Sequence, residues 1–146
     1  MNDAVSTLFS LPTRVYWEDT DAGGVVYHAR YVAFFERARS EWMRSLGHGQ
    51  QAMIDGLGLV FAVRDMQLDF RWPARLDDAL EVTVALARVR RASVEFAQEV
   101  RRDGERLASA RVRVAAIDSA AFRPRALPDA LYEQFKSLES NAEQHR

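Results

Sequence analysis

A stripe of large aromatic residues constrains this chain more than any other feature. Tyr31, Phe34, Phe35, Ala38, Trp42 and Leu46 recur at i, i+3/i+4, i+7 and i+11, while Arg30, Arg37, Arg39, Glu41 and Arg44 fill much of the rest. The spacing predicts a long helix from about Ala29, stopped at Gly47, whose aromatic face is core and not a cofactor box. Such a helix must be wrapped by something. A shorter helix, about Gln50–Asp55, follows it.

The wrapping is β. Thr13–Trp17 is β-branched and aromatic and reads as a first strand. Phe61 and Val63 alternate, then Met66, Leu68, Phe70 and Trp72 alternate on the opposite parity, which predicts a bulge near Arg64-Asp65. Leu80, Val82, Val84 and Leu86 form the next strand, and Val94, Phe96 and Val100 another. Arg102-Asp103-Gly104-Glu105 is an Asp-Gly hairpin signal leading to a last strand with Ala108, Ala110, Val112, Val114 and Ala116 on one face. Pro128 then opens a C-terminal helix with Leu131, Phe135 and Leu138 on its apolar side. The expected class is α+β, an antiparallel sheet covering one buried helix, with an edge strand suited to a second subunit.

The 146 residues fit a single domain, its core about 13–135, with loose ends at Met1–Ser10 and Ser140–Arg146. The chain has no cysteine, which excludes disulfides, Cys-ligated metal sites and a thiol nucleophile. Its net charge of −1 argues against nucleic acid as a partner. No apolar run approaches the roughly 18 residues that span a bilayer, and Met1–Ser10 lacks the features of a signal peptide, so a cytoplasmic protein is expected. All 20 basic residues are Arg except Lys136; that bias suits a phosphate-bearing ligand and is equally a matter of genomic base composition.

Chemistry concentrates in Tyr16–Tyr31. Two carboxylates, Asp19 and Asp21, precede Gly23-Gly24, and the chain then enters the long helix. A helix N-terminus presents unpaired N–H groups and partial positive charge, which can hold an oxyanion at ~10²–10³ in rate per donor. Glycines admit close approach of a substrate, and a carboxylate beside such a site can attack a carbonyl or activate water. These parts describe acyl transfer or hydrolysis. Asp19 and Asp21 also suit turn and helix capping. Asp-x-Asp with His28 has the residue types of a metal site, but no further His or acid is placed to complete the shell. His28 fits a base, a pocket wall or a backbone donor; His48, between Gly47 and Gly49, reads as loop, and His145 lies in the tail. The Arg90-Arg91-Ala92-Ser93 turn and Arg123-Pro124-Arg125 are phosphate contacts or solvated loops.

The run Tyr16–Tyr31, followed by Phe35-Glu36-Arg37-Ala38-Arg39, Ala74-Arg75-Leu76-Asp77-Asp78 and Pro124-Arg125-Ala126-Leu127-Pro128, resembles the hotdog-fold acyl-CoA thioesterases of the 4-hydroxybenzoyl-CoA thioesterase class. Within that class it is most similar to the YbgC-like subgroup associated with the bacterial Tol–Pal envelope system. The resemblance covers roughly residues 13–135. It implies a hotdog fold, a five-stranded antiparallel sheet around one long helix, in a dimer or homotetramer with sites between subunits. It places the catalytic carboxylate on Asp21 and the oxyanion donor on the His28 backbone N–H. Gly23, Gly24, Val25, Tyr27 and Tyr31 then line the substrate site, and Arg90, Arg91 and Ser93 align with a turn that contacts the CoA nucleotide in relatives. His28 stands where relatives with benzoyl substrates have tyrosine, which counts against an aromatic substrate.

The resulting expectation is a thioesterase that releases CoA from acyl-CoA, with no metal or redox cofactor. Acyl carrier protein is an alternative carrier of the acyl group. Envelope-system or phospholipid-synthesis proteins are further partners that the resemblance suggests, at a cytoplasmic location or peripherally at the inner membrane. Two rival classes remain: a hotdog hydratase or dehydratase using the His28 imidazole, and a non-catalytic acyl-thioester binder or envelope scaffold.

Overall fold

The computed structural model describes residues 6–140; residues 1–5 and 141–146, His145 among them, lie outside the described residues. In chain order the elements are β1 (Phe9–Arg14), a 3-10 turn (Trp17–Asp19), α1 (Arg30–Ser45), α2 (Gln50–Leu57), β2 (Leu59–Phe70), β3 (Ala79–Val89), β4 (Ser93–Arg102), β5 (Glu105–Asp118) and α3 (Asp129–Leu138). The strands form one five-stranded antiparallel sheet in the order β1-β3-β4-β5-β2. This is the α+β architecture that the residue pattern predicts.

The aromatic stripe is the centre of the core. Tyr31, Phe34, Phe35, Ala38 and Trp42 are buried, with α1 lying on β1, β3 and β4. Each large apolar side chain removed from water contributes about 1.5–3 kcal/mol, so this one helix face supplies much of the driving force for wrapping. Small residues on the inner face of β5 (Ala108, Ala110, Ala116) stand opposite this bulk, all buried. Trp42 packs edge-on to Phe96 of β4 at 5.8 Å and against Phe135 of α3 at 5.7 Å, which ties the C-terminal helix to the central one. Gly47 ends α1 at φ +84°, the left-handed conformation that glycine adopts without strain.

Four expectations need correction. The first strand runs Phe9–Arg14, not Thr13–Trp17, and pairs with β3 from Phe9↔Val84 to Arg14↔Ala79. Pro12 is tolerated there because β1 is an edge, while Tyr16 leaves the sheet because its N–H donates to the Asp19 carboxylate (2.8 Å) and starts the 3-10 turn. Phe9 and Ser10 are therefore sheet residues, not a loose end, and the Ser140 N–H is likewise tied to the Leu86 carbonyl at 2.8 Å. Arg39, off the aromatic stripe among the charged residues that fill the rest of the helix, is nevertheless buried and donates to Gln98 Oε1 at 2.9 Å. Pro128 precedes α3 as its N-cap instead of sitting inside it.

Local signals elsewhere behave as the spacing predicts. The β2–β5 register shifts between Val63 and Asp65, the bulge that transfers the apolar parity from Phe61/Val63 to Met66/Leu68/Phe70. Asp103 and Gly104 both have positive φ, +52° and +81°, as a two-residue I′ hairpin requires. β2 is the second edge of the sheet, twelve residues long, and its helix-facing row is only half covered: Val63 is 48% and Phe70 47% exposed.

Candidate active site

The segment between the 3-10 turn and α1 is a miniature hairpin. Thr20 bridges Val26, the Asp21 N–H donates to Val25 O at 2.9 Å, and the Gly24 N–H donates to Asp21 O at 3.0 Å. Closure this tight needs Gly24 at φ +81°. Asp21 sits exposed at the turn, one carboxylate oxygen accepting the Gly23 N–H at 2.8 Å and the other left open. A side chain on Gly23 would meet that bonded oxygen: an added Cβ lies 3.2 Å from Asp21 Oδ1. Gly23→Ala is therefore expected to displace the carboxylate by a few tenths of an ångström, a shift that a crystal structure of the variant would show.

Asp19 is the inner member of the pair. Its side chain is buried; Oδ1 accepts from Arg30 Nε at 2.9 Å and forms an ion pair with Nη2 at 2.9 Å, and Oδ2 accepts the Tyr16 N–H. Its carbonyl accepts the Tyr27 N–H at 2.9 Å. Arg30 is the first residue of α1, where the helix dipole disfavours a cation, and the Asp19 carboxylate offsets that cost. Asp19 ends the 3-10 turn and Asp21 begins the hairpin that follows it, so the two are not on one regular strand: Asp19 is buried and braces the loop while Asp21 is exposed. Asp19→Ala strands the Arg30 guanidinium and the Tyr16 N–H and is expected to cost about 2 kcal/mol, measured by thermal or urea unfolding.

The hairpin is fixed to the rest of the molecule by the segment between β2 and β3. Val26 N–H donates to Ala74 O at 2.8 Å, Val25 bridges Arg75, and the Ala74 N–H donates to the Tyr31 hydroxyl at 3.1 Å. Tyr31 thus stands behind the site, 3% exposed, rather than on its surface. Burial pushes its phenol above the ordinary tyrosine range, so it stays neutral at physiological pH. At the start of α1 the N–H groups of Arg30 and Tyr31 are satisfied by Tyr27 O and His28 O. Those of His28 and Ala29 have no acceptor among the described residues. They are the open donors a helix N-terminus offers. The exposed His28 ring packs 4.6 Å from that of Tyr27 and edge-on to Phe70 at 6.5 Å.

Asp21, Gly23, Gly24, Val25, Tyr27 and His28 therefore belong to one hairpin and helix start, with Tyr31 beneath. Arg90, Arg91 and Ser93 do not join them within one chain. Their turn closes through the Arg90 N–H to Ser93 O at 2.8 Å, at the far end of β3, whose eleven residues span roughly 35 Å. Arg91 there lies 4.0 Å over the Tyr132 ring and 3.2 Å from Asp129. Arg125, at the same far end, donates to Leu57 O and Gly58 O at 2.6 and 3.0 Å. Asp19 and Asp21 face apart, and among the described residues no three His, Asp or Glu side chains converge as a metal site.

Two residues of this site escape sequence reasoning. Arg30 carries a signal: a cation at the first position of a helix asks for a carboxylate partner. Phe70 carries a weaker one, the last member of an inward row on an edge strand.

Comparison with known proteins points in one direction. Residues 23–109 match the family model of the thioesterase superfamily. The acyl-CoA thioesterase YbgC of Haemophilus influenzae is 44% identical over 130 residues, 89% of this chain and 96% of that protein. The acyl-CoA thioester hydrolase YbgC of Escherichia coli O157:H7 is 46% identical over 132 residues, 90% of this chain and 98% of that one. Among solved structures, a probable thioesterase from Bartonella henselae aligns with TM-score 0.80 at 36% identity, covering 84% of this chain and all (100%) of that one. A DHNA-CoA thioesterase from Staphylococcus aureus, at 19% identity, shares the fold with TM-score 0.85 over 94% of this chain and 95% of that one.

Proposed function

This chain belongs to the thioesterase superfamily, and from that premise we propose that Asp21 and the start of α1 together hydrolyse the thioester of an acyl-CoA. The chain is a thioester hydrolase; the assignment of roles to residues is our reading. One observation carries it: in a single hairpin the carboxylate of Asp21 has one oxygen anchored on the Gly23 N–H and one open, and the His28 and Ala29 N–H groups have no acceptor among the described residues.

The thioester carbonyl oxygen accepts from the His28 N–H, which stabilises the negative charge that develops there as the carbon becomes tetrahedral. Asp21 either takes a proton from a water that attacks the carbon or attacks it directly, giving a mixed anhydride that water then opens. In both routes the C–S bond breaks, CoA leaves as thiolate and the acyl group ends as a carboxylic acid. Every step uses groups of the chain and water, so no metal or redox cofactor is invoked.

The second subunit enters through β2. Among the described residues its twelve residues are paired on one side only, and the half-covered row Phe61, Val63, Met66 and Leu68 awaits a neighbour. Antiparallel pairing of two β2 edges about a twofold axis sets the far end of one sheet beside the near end of the other. That arrangement brings the Arg90–Ser93 turn of a second copy toward Asp21, so the nucleotide of CoA is held from across the dimer; two dimers make a tetramer. Among the described residues no helix is long and apolar enough to cross a membrane. We place the protein in the cytoplasm or peripherally at the inner membrane, with acyl carrier protein, envelope-system or phospholipid-synthesis proteins as further partners.

The test is free-thiol release from a panel of acyl-CoAs. Release is the expected result. Hydration of an enoyl-CoA with no thiol released would replace this reading with a hydratase, and CoA binding with no turnover on any acyl carrier would replace it with a binding protein.

A further inference from the structure

The roles above leave the acyl side of the thioester without a residue. We propose that Phe70 supplies it: the open face of its ring is the surface on which the first carbons of the acyl group rest, and it selects hydrocarbon acyl groups over carboxylated ones. This rests on the thioester reading, with the carbonyl oxygen at the His28 N–H.

A continuous file of rings carries the assignment. Tyr27 meets His28 at 4.6 Å, His28 meets Phe70 edge-on at 6.5 Å, Phe70 meets Tyr31 at 5.3 Å, and Tyr31 meets Phe34 at 6.0 Å. The inner end of the file is core, Phe34 being 1% exposed, while Phe70 is 47% exposed. A large apolar ring, half in water, thus stands against the residue whose backbone N–H is open. The backbone holds it there: Phe70 pairs with Ala108, and the next two N–H groups, of Arg71 and Trp72, both donate to Leu107 O at 2.8 and 3.1 Å. The buried Tyr31 ring packs against Phe70 on its inner side, so an acyl group with its carbonyl at His28 lies across Phe70 and not under it. The ring offers dispersion and no hydrogen-bond partner. A short acyl group ending in carboxylate would lose hydration there and gain nothing in return.

Wild type, Phe70→Ala and Phe70→Leu are compared by thiol release from acetyl-, butyryl-, hexanoyl-, benzoyl- and succinyl-CoA, with Asp21→Asn alongside and thermal midpoints recorded. Phe70→Ala is expected to lower kcat/KM for butyryl-, hexanoyl- and benzoyl-CoA about tenfold or more, to lower it by a smaller factor for acetyl-CoA, whose single methyl touches the ring least, and to narrow the gap between butyryl- and succinyl-CoA. Phe70→Leu, which keeps apolar bulk at a half-exposed position, should restore the aliphatic substrates and not benzoyl. An equal fall on every substrate, acetyl included, overturns the assignment and makes Phe70 a support for His28. An unchanged profile overturns it too. Thiol release by Asp21→Asn at the wild-type rate removes only the role of Asp21, while no release by wild type from any substrate removes the thioester reading and this assignment together.

Discussion

Asp21→Asn should lower kcat for thiol release by about 10²–10⁴ while leaving the protein folded. Asparagine keeps the shape of the side chain, and its carbonyl oxygen can still accept the Gly23 N–H that anchors Asp21 Oδ1. The turn therefore survives, and what is lost is the negative charge on the open oxygen, the proton acceptor or nucleophile of the proposed reaction. Because Asp21 is exposed, and its side chain bonds within its own turn, stability should stay within about 0.5 kcal/mol of wild type. Asp19→Ala shows the opposite pattern, a folding defect from a stranded Arg30. Unfolding curves and thiol-release rates on the two variants thus separate chemistry from bracing. Thiol release that persists in Asp21→Asn would move the catalytic role elsewhere in the hairpin.

That separation is not legible in the sequence, and the reason is physical. Asp-x-Asp is symmetric as text; which member faces in depends on where an arginine eleven residues later comes to lie, and on a 3-10 turn begun by the Tyr16 N–H. Features decided by neighbouring residues are legible: the period of the aromatic stripe, the parity change at Arg64, the Asp103-Gly104 turn. Features decided by distant pairing are not. The start of β1 is set by Val84, which Phe9 faces across the sheet, and not by the β-branched and aromatic run Thr13–Trp17. The turn Arg90–Ser93 reads as a phosphate contact or a solvated loop, and the length of β3 carries it to the far end of the sheet from Asp21. The Gly pair and the helix start are legible because a tight turn and an open helix end are both local.

Gln98→Leu is expected to destabilise the fold by roughly 3 kcal/mol, more than any exposed substitution in the site. Gln98 is 2% exposed on the inner face of β4, in a row otherwise made of Val94, Phe96 and Val100. Its Nε2 donates to Phe35 O in α1 at 3.0 Å and to Thr83 O in β3 at 3.2 Å, and its Oε1 accepts from Arg39 at 2.9 Å. One amide thus ties helix to sheet where the ladder opens and the Glu99 N–H donates to Thr83 Oγ1 instead of a carbonyl. Leucine would leave two carbonyls without that donor and a buried guanidinium without its acceptor. The cation is the costly part: burial already lowers the pKa of Arg39, and Glu36, the acid that opposes this, is exposed on the same helix. Replacing Arg39 by Met as well removes the stranded charge. The double variant, Arg39→Met with Gln98→Leu, should therefore be more stable than Gln98→Leu alone, although it carries one more substitution. Urea unfolding of the two single variants and the double closes the cycle. Simple addition of the two losses would show that Arg39 and Gln98 act independently, whereas recovery in the double shows that the amide is held in the core chiefly to keep the guanidinium there. Either way thiol release below the unfolding range should persist, since neither side chain belongs to the Asp21 hairpin.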